Sequence, residues 1–272
     1  MNVGSHLDSE KRKEQRLSLF YEMMDQLIAC HNAIARDVRE YKLTPISDHF
    51  VMPEDLFLVM SFSFVHSQLS RLKSIRLLMD AGQDEDAGQI ARSMLEGAML
   101  LEWASRDKST RSQTWFAFEQ IEKGRLDEIG RKYQIDIPVT EPNKIKEFFD
   151  LFGNLVLRKE ENREVVNFSD KNIRIRWYAP KTIHRIFNET RFDFLYETWY
   201  GVFSNWIHWN PVAILSFFTK ESSGAGEPLE EDIQFVVAIL SCQLYLLKLT
   251  EHLKLDYSER IMMKELMGQL GN

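Results

Sequence analysis

Cysteine is nearly absent: a chain of 272 residues holds only Cys30 and Cys242, too few for a structural zinc site or a disulfide-stapled scaffold. Both fall in strongly apolar helical patterns, so they read as buried, reduced thiols of a cytoplasmic protein. Glycine (12) and proline (7) are also scarce, which leaves little material for the many turns of a β protein. Long apolar runs are missing as well. The two longest, 56–69 and 235–247, are broken by Ser, His or Gln and fall short of the roughly 18–20 residues that cross a bilayer. Residues 1–16 are polar and charged and offer no apolar core for an export signal. No membrane association is expected. Positive charge is in deficit, with 34 Lys and Arg against 41 Asp and Glu for a net charge of −7, which disfavours nucleic acid as the main partner.

Reaction-dictating motifs are absent too. No His has a Glu three residues before it, and no His-Glu-x-x-His stretch occurs, so the ligand spacings of helical metal sites are missing and no metal or other cofactor is expected. Gly224-Ala-Gly226 lacks a following Lys and a preceding strand, and reads as linker. There is no Gly-x-Ser-x-Gly elbow for a hydrolase nucleophile. No His follows an Arg by four to six residues, the arrangement used by one group of helical toxin ribonucleases.

What is present is apolar and aromatic: 44% of residues are hydrophobic, with 18 Phe and 11 Met. That content supports a substantial core, and three- and four-residue apolar periodicity recurs along most of the chain. The expected fold class is all-α, an irregular multi-helix bundle of about eight to ten helices. One helical domain is expected over 1–272, with helices 228–272 following the Ser222–Pro228 linker. The first helix follows Tyr21, Met24, Leu27, Ile28 and Val38, with His31 on its apolar face. Pro53 reads as the first turn of a second helix reaching about Met79, with His66 as a core histidine. The 80–88 segment reads as a turn, making the next helix a hairpin partner. A surface helix over 109–133 carries a buried stripe of Trp115, Phe116, Phe118, Ile121, Leu126 and Ile129.

The most informative stretch is 87–103. It is apolar on nearly every helical face, yet it carries Arg92 and Glu96 one turn apart, close enough to pair. Charges are rarely buried unless paired or used, and a buried pair adds little net stability, so this one calls for further partners or a ligand. A second polar stripe, Tyr200, Ser204 and His208, lies on a helix otherwise rich in Trp and Phe. Phenol, hydroxyl and imidazole suit either proton transfer or the fixing of a polar ligand. Arg92, Glu96, Tyr200, Ser204 and His208 are therefore the candidate pocket. A binding or regulatory protein with a small anionic ligand is the first reading. The second is a hydrolase or transferase on a phosphate-containing substrate, with Glu96 or His208 as base and Arg92 as electrostatic stabiliser. The third is an interaction module in which the same residues only lock the fold. Arg174, Arg176, Lys181 and Arg185, interleaved with Trp177 and Tyr178, form a candidate anion-binding surface. Self-association through an aromatic helical face is expected.

The Arg92-Ser-Met-Leu-Glu96 helix after a short acidic turn, followed by Trp177 and then Tyr200-x-x-x-Ser204-x-x-x-His208, resembles the bacterial helical family labelled domain of unknown function 5677. The resemblance covers about residues 55–215. It implies no established reaction, only that Arg92, Glu96, Ser204 and His208 occupy the family's characteristic polar positions.

Overall fold

In the computed structural model the described residues are 11, 14–15, 18–19, 21–29, 32, 43–53, 55–135, 142–157, 168, 173–174, 176–178, 180–190, 193–200, 237–238 and 241–242. They are mostly helical. The elements run α1 (described over 21–29), β1 (Leu43–Pro45), β2 (Val51–Pro53), α2 (Leu56–Asp80), α3 (Asp84–Ser105), α4 (Lys108–Tyr133), α5 (Pro142–Val156), α6 (Ile183–Thr190), α7 (Asp193–Leu195) and a π-helical turn, Tyr196–Tyr200. No helix among these residues is long and apolar enough to cross a membrane.

Two compact units make up the chain. The first comprises Met1–Arg39, Ser61–Trp103 and Ile186–Asn272, the second Glu40–Met60 and Ala104–Arg185.

In the first unit, Met23, Met24 and Leu27 of α1 are buried, as are Val65, Leu69, Leu72 and Ile75 of α2. The Tyr21 hydroxyl donates to the Asp80 carboxylate, and the Arg76 guanidinium lies 4.0 Å over the Tyr21 ring. His66 is exposed, contrary to the core position expected for it, because the buried stripe of α2 passes through its neighbours Val65 and Leu69. Helix α2 ends in two stacked reverse bonds, Gln83 N–H to Leu78 C=O (2.8 Å) and Gly82 N–H to Met79 C=O (3.0 Å). That motif needs a left-handed residue, and Gly82 supplies it at φ +69° without the steric cost of a Cβ. Helix α3 then starts at Asp84, so the acidic residues expected in a turn belong to its first turn. Ala87, Ala91, Met94, Leu95, Ala98, Met99, Leu101 and Ala104 are all essentially inaccessible. Cys242 is a buried free thiol whose pKa burial pushes up; Cys30 and His31 lie outside the described residues.

The second unit corrects two expectations. Pro53 does not open a helix: Leu43–Pro45 and Val51–Pro53 pair antiparallel with Leu43 opposite Pro53. The helix starts at Leu56, where the Asp55 carboxylate accepts from the Leu58 N–H at 3.1 Å, an N-cap that satisfies one of the open amides. Helix α4 is capped likewise by Asp107, which accepts from Thr110 N–H, and it closes at Gln134 in the left-handed conformation. Its buried stripe is Thr114, Ala117, Phe118, Ile121 and Gly124, so Leu126 (57% exposed) and Ile129 (49%) face outward, contrary to expectation. Around Phe118 and Ile121 gather Phe50, Ile145, Phe148, Phe152, Val156, Phe168 and Ile173. Phe148 is the hub, with ring centroids 5.1–5.9 Å from Phe50, Phe149, Phe152 and Phe168. Phe168 is fixed at three points: Arg125 Nε donates to its carbonyl (3.2 Å), its N–H donates to Glu128 Oε1 (2.6 Å), and its ring covers Gly124.

Candidate functional site

Arg92 and Glu96 sit one turn apart on α3, both half-buried, among fully buried neighbours Ala91, Met94, Leu95 and Met99. They meet through a third group. Arg92 Nη2 donates to the Tyr200 hydroxyl at 2.7 Å, and that hydroxyl donates to Glu96 Oε2 at 3.2 Å. The guanidinium also lies 4.4 Å over the Tyr200 ring, adding a cation–π attraction to the hydrogen bond.

Tyr200 reaches this point because the chain leaves the α-helical path. Helix α7 gives way to the π-helical turn Tyr196–Tyr200, where the sequence pattern reads as ordinary α-helix. In it Tyr196 stacks on Tyr200 at 4.9 Å and 18°, and Phe187 of α6 closes on both, at 5.3 and 5.5 Å. Thr190 ends α6 by donating to its own helix at Phe187 C=O (2.8 Å) and lies 3.4 Å from Met99 Sδ. Two aromatic faces therefore hold the Tyr200 ring while its polar tip bridges the charges.

The electrostatics follow from that position. Burial pushes the Tyr200 pKa up to about 12, the Glu96 charge pushes the same way, and Arg92 opposes both. The phenol is thus neutral at ordinary pH, acting at once as acceptor for a cation and donor to an anion. Of the five candidate pocket residues, the structure brings together Arg92, Glu96 and Tyr200; Ser204 and His208 lie outside the described residues. Periodicity did not single out Phe187 or Tyr196, although a Tyr four residues before Tyr200 is a visible signal of stacking.

The four basic residues of the candidate anion surface lie in the second unit. Arg176 and Arg185 are exposed, Arg174 and Lys181 half-buried. Arg176 Nη1 donates to the Tyr178 hydroxyl at 3.1 Å, and the backbone N–H of Arg174 donates to Val156 C=O at 2.8 Å. A separate cleft of about 310 Å³ in this unit is lined by Met52, Asp55, Leu56, Phe57, Lys108, Ser109, Ser112 and Gln113, with Lys108 Nζ 5.3 Å from the Phe57 ring centre. None of these residues is among the candidate site residues of the sequence. No cluster of three or more metal-ligating side chains occurs among the described residues.

No curated protein and no solved structure matches the chain. A family model does match, over residues 59–225, and this span contains Arg92, Glu96 and Tyr200 together with Ser204 and His208. With more than half of its length covered, the chain belongs to the Family of unknown function (DUF5677).

Proposed function

We propose that this protein binds a small anionic ligand at a pocket framed by Arg92, Glu96 and Tyr200, with Ser204 and His208, four and eight residues further along the sequence, as candidates to complete its polar lining. The observation that carries this reading is the Tyr200 hydroxyl held between a cation and a carboxylate by a π-helical turn. Such turns recur at functional sites because they sacrifice regular bonding to aim a side chain. A neutral phenol beside Arg92 adapts without a change of charge, so a ligand carboxylate or phosphate can engage the guanidinium while Tyr200 stays bonded to Glu96. The reading is of a cytoplasmic binding or regulatory protein with an all-α, irregular multi-helix fold of about eight to ten helices.

Thermal melts against a panel of nucleotides and anionic metabolites test this. A true ligand at a hundred times its Kd adds about 2.7 kcal/mol to stability, and the rise in Tm should vanish in Arg92→Ala. A flat response across the panel, or a shift that persists in the variant, removes the proposal. The closed Arg92–Tyr200–Glu96 chain of bonds also suits a purely structural lock, and variant stabilities separate the two.

Self-association belongs to the same proposal. Leu126, Ile129 and Tyr133 are 57, 49 and 63% exposed and recur at three- and four-residue steps on α4, so they share one face. Exposed apolar surface of this kind marks contact sites. Light scattering should show an oligomer that Leu126→Lys with Ile129→Lys dissociates; a monomeric wild-type chain at micromolar concentration excludes it.

A further inference from the structure

We infer that Gln68 anchors an internal binding site in the first unit for a neutral group able both to donate and to accept a hydrogen bond. Gln68 is 1% exposed on the buried stripe of α2, beside Val65, Leu69 and Leu72. Neither Oε1 nor Nε2 has a hydrogen-bond partner among the described residues. Four buried hydroxyls behave differently. Ser112, Thr114, Thr190 and Ser241 turn back onto carbonyls of their own helices, Lys108, Thr110, Phe187 and Val237 respectively, which is the usual way short hydroxyls are satisfied inside a helix. A carboxamide buried with both ends unsatisfied is disfavoured relative to an apolar side chain of similar size, and native interiors avoid it. An occupant that bonds both ends removes that conflict.

The amide fixes the chemistry of the occupant. Oε1 needs a donor and Nε2 an acceptor, so a hydroxyl, an amide or a water molecule fits. A simple ion does not, because an anion only accepts and a cation engages only the oxygen, so one end of the amide would stay unsatisfied. The two sources of such a group are an internal water and the polar end of an organic ligand.

A high-resolution crystal structure of the full chain, paired with native mass spectrometry of the protein as purified, tests the inference. The expected result is density about 2.7–3.2 Å from both Gln68 amide atoms. A single solvent peak without added mass identifies water, and added mass that denaturation releases identifies an organic ligand. In Gln68→Met the density, or the added mass, should disappear with no gain in Tm. The inference is overturned if a side chain of the protein itself satisfies the amide. It is equally overturned if no occupant appears and Gln68→Met melts several degrees higher, the behaviour of an unsatisfied amide relieved by an apolar group.

Discussion

Gly124→Ala should lower the melting temperature by roughly 4–8 °C, although alanine is the better helix former. A Cβ built on Gly124 would come within 2.1–2.5 Å of three carbons of the Phe168 ring. Overpacking of that kind costs about 3 kcal/mol, against which the helix-propensity gain returns about 1 kcal/mol. The sign turns on whether the ring can retreat. It cannot do so cheaply, because Arg125 and Glu128, one and four residues after Gly124 on the same helix, hold the Phe168 carbonyl and N–H, and Phe148 and Phe149 back the ring at 5.6 and 5.7 Å. Adding Phe168→Leu to Gly124→Ala should recover part of the loss in a thermal melt. A single variant as stable as the wild type would mean that Phe168 is not clamped on α4.

The second large effect is expected at the bridged charges. Arg92→Ala should cost about 2 kcal/mol, since it strands Glu96 in a half-buried apolar setting and removes the cation over the Tyr200 ring. Tyr200→Phe keeps the ring and loses both hydrogen bonds, for about 1 kcal/mol. Because the residues share one network, the double variant should be less destabilised than the sum. The Tyr200 pKa, raised in the folded state to about 12 from an ordinary value of 10.0, adds a pH signature. A group with a raised folded pKa stabilises fully below its unfolded pKa and loses that contribution as pH rises through the folded one. The wild type should therefore lose stability between about pH 10 and 12 more steeply than Tyr200→Phe. An Arg92→Ala loss below about 0.5 kcal/mol would defeat the structural-lock reading and leave ligand binding as the role of the cluster.

The Arg92–Glu96 spacing was legible because a charge pair on an otherwise apolar helix stands out against its neighbours. That Tyr200 would separate the two was not, since one hydroxyl inserted between partners leaves no periodic trace. The π-helical turn is equally silent: its residues carry the same apolar pattern as an α-helix, and only the bonding differs. Pro53 misled because proline suits both the first turn of a helix and the end of an edge strand, and its strand partner Leu43 lies outside any local window. The drift of the α4 stripe has another cause. Gly124 is a core position with no side chain, so hydrophobic periodicity passes over it and settles on Leu126 and Ile129 instead. Gln68 hides in the opposite way, a polar residue on a stripe where polarity normally signals the surface. Helix existence and class were thus readable from composition and period, whereas register and polar burial required the packed structure.

The π-helical turn makes its segment sensitive to residue number rather than to residue type. Removing any one position from Asp193–Tyr200 would let the turn rewind as ordinary α-helix and swing the phenol about 100° around the axis. Naturally shortened or lengthened versions of this segment should therefore have lost the hydroxyl bridge, while point changes at its outward positions leave the bridge in place.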